Sequence, residues 1–237
     1  MSYNFSPKIV TNGLVLCLDA ANINSYVSGS TVWSDLSGRN NDCTLVNGPT
    51  FDSKNKGSIL FDGLNDEGTF PILSDLQFLN RSPYTLSLFA KIITANSTFH
   101  GLLNREYGAP RNGYNLWFYR DSPNVIAIAS ERWAGTGQKV VFTLLNNSQC
   151  IDVWNHYCVT YDGNDLKFYI NGVFVSSVFA DGNITNTTGT LQIARRQTTN
   201  GNCEIANVKI YNRGLLANEV LQNYNTLKTR FGQWVEM

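Results

Sequence analysis

Cleavage of a glycosidic bond needs two carboxyl groups straddling it, about 5–5.5 Å apart when configuration is retained. In this 237-residue chain Glu67, Glu106, Glu131, Glu204, Glu219 and Glu236 are scattered, and no E-x-D-x-E or E-x-D-x-x-E run sets two of them on one strand face. A carboxylate pair could form only across strands. Nucleophilic chemistry has little to draw on: there are two histidines, His100 and His156, and no G-x-S-x-G elbow. His100, Arg105 and Tyr107 lie close in sequence and are of the types a lyase uses. A polar loop beside a strand accounts for them more simply.

Two Asp/Asn clusters could hold calcium, which takes about six to eight oxygens from carboxylates, amides and carbonyls. Asp62, Asn65 and Asp66 form the better candidate; Asp162, Asn164 and Asp165 sit where a hairpin turn is expected, and such residues make turns without any metal. No cofactor is required, and no Cys/His set suits zinc. Glycan recognition needs exposed aromatics that stack on sugar faces, flanked by amides and charges. The segment 107–133 is the richest source, and Tyr107, Arg111, Asn112, Arg132 and Trp133 are the candidate contacts. Trp117 and Trp154 are expected in the core, because aromatics on strands usually pack there or pair across strands.

The elements that would position these groups are strands. Leu14 to Leu18 and Ser58 to Phe61 are short apolar runs, and Tyr84 to Ile92 alternates over much of its length. Leu116–Tyr119, Val125–Ala129, Val140–Leu144, Leu191–Ala194 and Ile205–Tyr211 follow, separated by Gly- and Asn-rich turns. Trp154 to Phe179 reads as a three-strand meander, with Asn171-Gly172 as its tightest turn because both residues tolerate positive φ. Strands at this density indicate an all-β sandwich or barrel. Val220, Tyr224, Leu227 and Phe231 are spaced 4, 3 and 4 apart and predict one helix over about 216–231, ended by Gly232. Residues 1–12 are expected to be an N-terminal arm ordered by contact, and 13–237 one domain.

Composition narrows the function classes. Lys plus Arg and Asp plus Glu number 18 each, so the net charge is zero, and no basic excess points to nucleic acid. No apolar stretch nears the roughly 20 residues of a membrane helix. The N-terminal residues lack the pattern of a secretory leader, so the expectation is a chain made in a cytoplasm. Five cysteines, an odd number with no C-x-x-C, are expected as free thiols.

The segment Val153-Trp154-Asn155-His156-Tyr157, then Val159-Thr160-Tyr161-Asp162-Gly163 and Leu166 to Val173, resembles the W-x-H-x-x-x-T-Y-D-G…L-x-x-Y-x-N-G signature of laminin-G-like domains of the concanavalin A superfamily. Glu204 to Arg213 resembles that family's last strand, and Glu219-Val220 the start of its closing helix. Gly13 to Ala20, Trp33 to Gly38 and Phe61-Asp62-Gly63 resemble a subset common in virion structural proteins of tailed phages. Two positions depart from the pattern: Leu216 stands where the family often has a Ser helix cap, and Leu64-Asn65-Asp66-Glu67 follows F-D-G, keeping the acid as Asp66. The resemblance implies a two-sheet antiparallel jelly roll of the concanavalin A-like kind with one short C-terminal helix. It also implies a non-enzymatic virion protein, a decoration, head-fibre or tail-associated subunit. Its partners would be capsid or tail proteins, further copies of itself and host polysaccharide. A calcium-assisted adhesin is the alternative, and a glycan hydrolase or lyase the third reading.

Overall fold

In a computed structural model, residues 8–107, 111–134, 137–185 and 188–232 are described. They form two eight-stranded antiparallel sheets and a small ribbon, Arg195–Arg196 with Thr199–Asn200. The first sheet runs, edge to edge, Val173–Phe179, Asp165–Ile170, Trp154–Tyr161, Tyr84–Ile92, Asn202–Tyr211, Ser58–Asp62 and Thr50–Asp52. Leu14–Asp19 pairs with the far half of Asn202–Tyr211. The second runs Gly137–Asn146, Val125–Ala134, Asn112–Ser122, His100–Tyr107, Gln192–Ile193, Glu67–Thr69, Cys43–Val46 and Val32–Trp33. Every strand pairing in both is antiparallel, so the jelly-roll sandwich expected from the sequence is the observed fold.

Alternation decides which side chains face the space between the sheets. Leu86, Leu88, Ala90 and Ile92 from the first sheet meet Tyr114, Leu116, Phe118, Ile126 and Ile128 from the second in one buried cluster. Each Leu, Ile or Phe among them contributes roughly 1.5–3 kcal/mol on burial. The meander is as the sequence predicts: Asn171 and Gly172 take φ of 52° and 79°, the left-handed pair of a type I′ turn, between Ile170 and Val173. Asp162 caps the preceding turn, its Oδ1 accepting from the amides of Asn164 and Asp165.

The helix spans Ala217–Leu227 and continues as a 3-10 turn, Lys228–Phe231, to Gly232 at φ 70°. Leu216 has no side-chain acceptor, so only half of a capping box forms: the Leu216 amide donates to Glu219 Oε2 at 2.9 Å, while Arg213 clamps the same carboxylate. The apolar stripe lies on the outer face of the first sheet. Phe231 stacks on Phe89 and packs against Trp154, both at 4.7 Å between centroids, and Tyr224 lies near His156. Residues 8–12 of the expected arm dock on the same helix: Val10 N–H donates to Asn223 Oδ1 at 2.9 Å, and Tyr211 OH donates to Val10 O. Residues 1–7 lie outside the described residues. All five cysteines are buried free thiols.

Beneath the helix lie two buried titratable groups. Lys209 Nζ donates to Asn207 Oδ1 at 2.8 Å, and burial lowers its pKa. His156 Nε2 shares a hydrogen with Ser87 Oγ at 2.8 Å; burial, then the nearby Lys209 charge, pushes its pKa down from 6.5 to about 3. Between those two values the unfolded chain holds a proton on this imidazole that the folded chain does not, so stability falls as pH drops from about 6.5. Urea unfolding of His156→Gln between pH 4 and 7 is expected to show a pH slope shallower than wild type by up to about 1.4 kcal/mol per pH unit. Identical slopes would show that the imidazole is not held neutral.

Candidate functional site

The helix covers the outer face of the first sheet; on the outer face of the second, among the described residues, the Arg195–Asn200 hairpin folds over one half and the other half is open. Asn115, Trp117 and Tyr119 point there, because Tyr114, Leu116 and Phe118 between them face the core. In register beside them stand Glu131, Ala129 and Ala127, and beyond these Val140, Phe142 and Leu144. Asn104 and Glu106 complete the face from the next strand.

One half of this face carries a buried charge network. Asn115 Nδ2 donates to Glu106 Oε2 at 2.8 Å and to Glu131 Oε2 at 3.1 Å, while its Oδ1 accepts the Glu131 amide. Arg196 Nη2 lies 2.8 Å from Glu131 Oε2 and 3.4 Å from Glu106 Oε2. Trp133 Nε1 and Gln138 Nε2 donate to Glu131, and Arg111 and Gln197 reach Glu106. The strands thus bring together two carboxylates that no single-strand motif reveals. Both are over nine-tenths buried, and every partner named here is a donor, so their oxygens are engaged as acceptors inside the protein. A hydrolytic pair instead needs one carboxyl free to give a proton to a leaving group.

The other half is an open cleft of about 320 Å³ lined by Trp117, Tyr119, Asp121, Val140, Phe142 and Leu144. Phe142 is 56% and Leu144 50% exposed, a large apolar surface to leave in water. Phe99 stands edge-on to Trp117 at 4.9 Å and packs on Tyr119 at 5.0 Å. The Arg196 guanidinium lies over both Phe99 and Trp117, at 5.1 and 5.5 Å. Tyr119 OH donates to Asp121 Oδ1 at 2.8 Å, which raises the phenol's pKa and keeps it protonated. Aromatic walls beside a carboxylate acceptor suit a carbohydrate, whose rings have apolar faces and hydroxyl rims.

The sequence-derived candidates divide. Arg111 and Trp133 come together on this face, the guanidinium 5.4 Å from the indole ring. Asn112 is bonded to Thr185 through both its oxygen and its nitrogen. Arg132 points the other way: it is buried between the sheets, over the Tyr161 ring at 4.3 Å, donating to the Gly182 and Asn80 carbonyls. The period-2 alternation that puts Trp133 outside puts its neighbour inside. Tyr107 ends its strand, and its side chain lies outside the described residues. Trp117 and Trp154 are buried as expected but not between the sheets; each lies on an outer face, under Phe99 and Phe231 respectively. Tyr119 belongs to the aromatic 107–133 segment read as the richest source, whereas Asp121, Phe142 and Leu144 were not singled out from sequence, although alternating Val140, Phe142 and Leu144 was the available signal.

His100 and Arg105 do not converge. His100 bonds Asn200 O and Asn96 Oδ1 near one end of its strand, while Arg105, near the other, packs against Tyr114 in the core. The calcium candidates are occupied by their own turn: Asp62 Oδ1 accepts the Leu64 amide at 2.8 Å, and Asp66 Oδ2 accepts the Asp62 amide at 3.1 Å. Asp66 is buried, and burial raises its pKa. Among the described residues no group of three His, Cys, Asp or Glu side chains is placed to hold a metal ion. Asp62 Oδ1 and Asp66 Oδ2 are thus already bonded within their own turn.

Residues 61–221 match the laminin-G family model described as the concanavalin A-like lectin/glucanases superfamily. No curated protein sequence matches the chain. Among solved structures, the binding domain of Paraclostridial Mosquitocidal Protein 1 is similar at TM-score 0.72 and 18% identity, over 91% of this chain and 52% of that one. The binding domain of Botulinum Neurotoxin DC in complex with SialylT is similar at 0.70 and 12%, over 92% and 52%. The Botulinum Neurotoxin Type G receptor binding domain is similar at 0.65 and 18%, over 90% and 51%. The chain spans about half the length of these structures, and at such identities the likeness is one of fold.

Removing Arg196 from the charge network leaves Glu131 without its paired cation and Glu106 with Arg111 alone. Arg196→Met is expected to cost about 3–5 kcal/mol in urea unfolding, and adding Glu131→Gln to recover part of it. A cost below about 1 kcal/mol would mean that the network is solvated rather than buried.

Proposed function

Since this chain belongs to the concanavalin A-like lectin/glucanases superfamily, we propose that it is a non-enzymatic carbohydrate-binding module whose ligand lies on the outer face of the second sheet. The observation that carries this reading is the aromatic cleft around Trp117, Tyr119 and Phe142, open and apolar beside hydrogen-bonding groups. Binding rather than cleavage is supported by Glu106 and Glu131, whose oxygens are engaged by Asn115, Arg196, Trp133 and Gln138. The reading uses no calcium.

A second reading places the module on a tailed-phage particle, against capsid or tail proteins or further copies of itself. It is favoured by the ordered motifs Trp33 to Gly38 and Phe61 to Gly63, which resemble those of virion domains. The two readings are compatible, since a particle protein can hold host polysaccharide.

On a glycan array in calcium-free buffer, wild type is expected to bind a discrete set of oligosaccharides. Tyr119→Ala and Phe142→Ala are each expected to weaken that binding roughly tenfold with little change in unfolding midpoint. Phe174→Ala, an exposed aromatic on the edge of the first sheet, leaves it unchanged. Unaltered affinity in both cleft variants would move the site elsewhere. Peptide mass spectrometry of purified phage particles from the source is expected to detect the chain at a fixed copy number; its absence would remove the particle reading and leave the binding one.

A further inference from the structure

We infer that the cleft selects neutral glycans and discriminates against those bearing a carboxylate, such as sialic acid or a uronic acid; this rests on the carbohydrate-binding reading above. The reason is the placement of charge. Asp121 is exposed at the cleft and, among the described residues, is the one acidic or basic side chain in its lining. Tyr119 occupies its Oδ1 and leaves Oδ2 to accept from a sugar hydroxyl.

The cations near the cleft are committed. Arg120, next in the chain, turns away: its Nε donates to Ala95 O at 2.9 Å and its Nη1 to Pro123 O at 2.8 Å. Arg196 is 5% exposed and paired with Glu131 and Glu106. Arg111 stands at the far end of the face on Glu106 and Trp133. Lys139 pairs in register with Arg132, whose side chain enters the core, so it stands on the opposite parity from Val140 and Phe142. A ligand carboxylate beside Tyr119 and Phe142 would therefore meet Asp121, while the neighbouring cations among the described residues are bonded elsewhere. A hydroxyl in the same place would gain a charge-assisted hydrogen bond. A neutral pyranose satisfies both the aromatic walls and the acceptor.

The test is titration at low salt against pairs of immobilised oligosaccharides that differ only in a terminal sialic acid, lactose with sialyllactose among them. Wild type is expected to prefer the neutral member by about fivefold or more, as expected for one exposed like charge at close range, and the preference should narrow as salt rises. Asp121→Asn is expected to bind neutral members more weakly and to lose the preference, and Asp121→Lys to reverse it. Equal or tighter binding of sialylated members by wild type, abolished by Phe142→Ala, would overturn the neutral selectivity and keep the cleft as the glycan site. Binding to no member of any pair would overturn the carbohydrate reading and this one together.

Discussion

Two carboxylates over nine-tenths buried on one sheet face demand a cation, and much of the second sheet is arranged around that demand. Glu106 and Glu131 come from strands separated by the one that carries Asn115, whose amide holds both. Arg196 supplies the charge from a hairpin folded onto the face. Once there, its guanidinium lies over Phe99 and Trp117, and Thr199 in the same hairpin bonds the Phe99 carbonyl. Phe99 is thereby set against Trp117 and Tyr119 and fixes one wall of the cleft. A polar network thus positions an apolar surface it does not line. Such networks are costly when half satisfied, which is why the hairpin, the Asn115 amide and the Trp133 indole all converge on the same four oxygens.

The two outer faces solve the same problem differently. A sheet buried on one side still presents a second side, and an exposed one must be polar, covered or used. On the first sheet Phe89, Trp154 and His156 are apolar or neutral, and the helix with residues 8–12 covers them. That cover makes His156 and Lys209 buried groups with lowered pKa values rather than surface ones. On the second sheet nothing among the described residues lies over Phe142 and Leu144. The sandwich therefore has a closed side and an open side, and the hydrogen bonds of the closed side are internal.

Much of the fold was legible because its signals are local. Asn171-Gly172 dictates a hairpin by φ alone, Tyr84 to Ile92 alternates cleanly, and the 4-3-4 spacing from Val220 to Phe231 fits one helical face. The strands that escaped, Val32–Trp33, Glu67–Thr69 and Arg195–Arg196 among them, are two or three residues long and show no period. The site was less legible. Trp133, Arg111 and Arg132 were all nominated by type, and type did not separate Arg132, which enters the core, from the two that share the outer face. The Glu106–Glu131 pair depends on register across two strand pairings, and Arg196 reaches it from 65 positions beyond Glu131. No spacing within a sequence encodes such a meeting.

The Asp62–Asp66 turn and the Glu106–Glu131 pair show how the same residue type ends in different roles. Asp62 and Asp66 spend their oxygens on amides a few residues away, because a tight turn leaves those N–H groups without strand partners. Glu106 and Glu131 lie within paired strands whose amides are already bonded in the ladder, so their carboxylates must find side-chain donors instead. Asp121 is the remaining case: it is near a strand end, exposed, with one oxygen taken by Tyr119. Of the carboxylates on or beside this face it is the one with capacity left for a partner outside the chain. In the proposed carbohydrate reading, the choice of ligand falls to that single acceptor among aromatic walls, and the larger charge cluster serves to hold the walls in place.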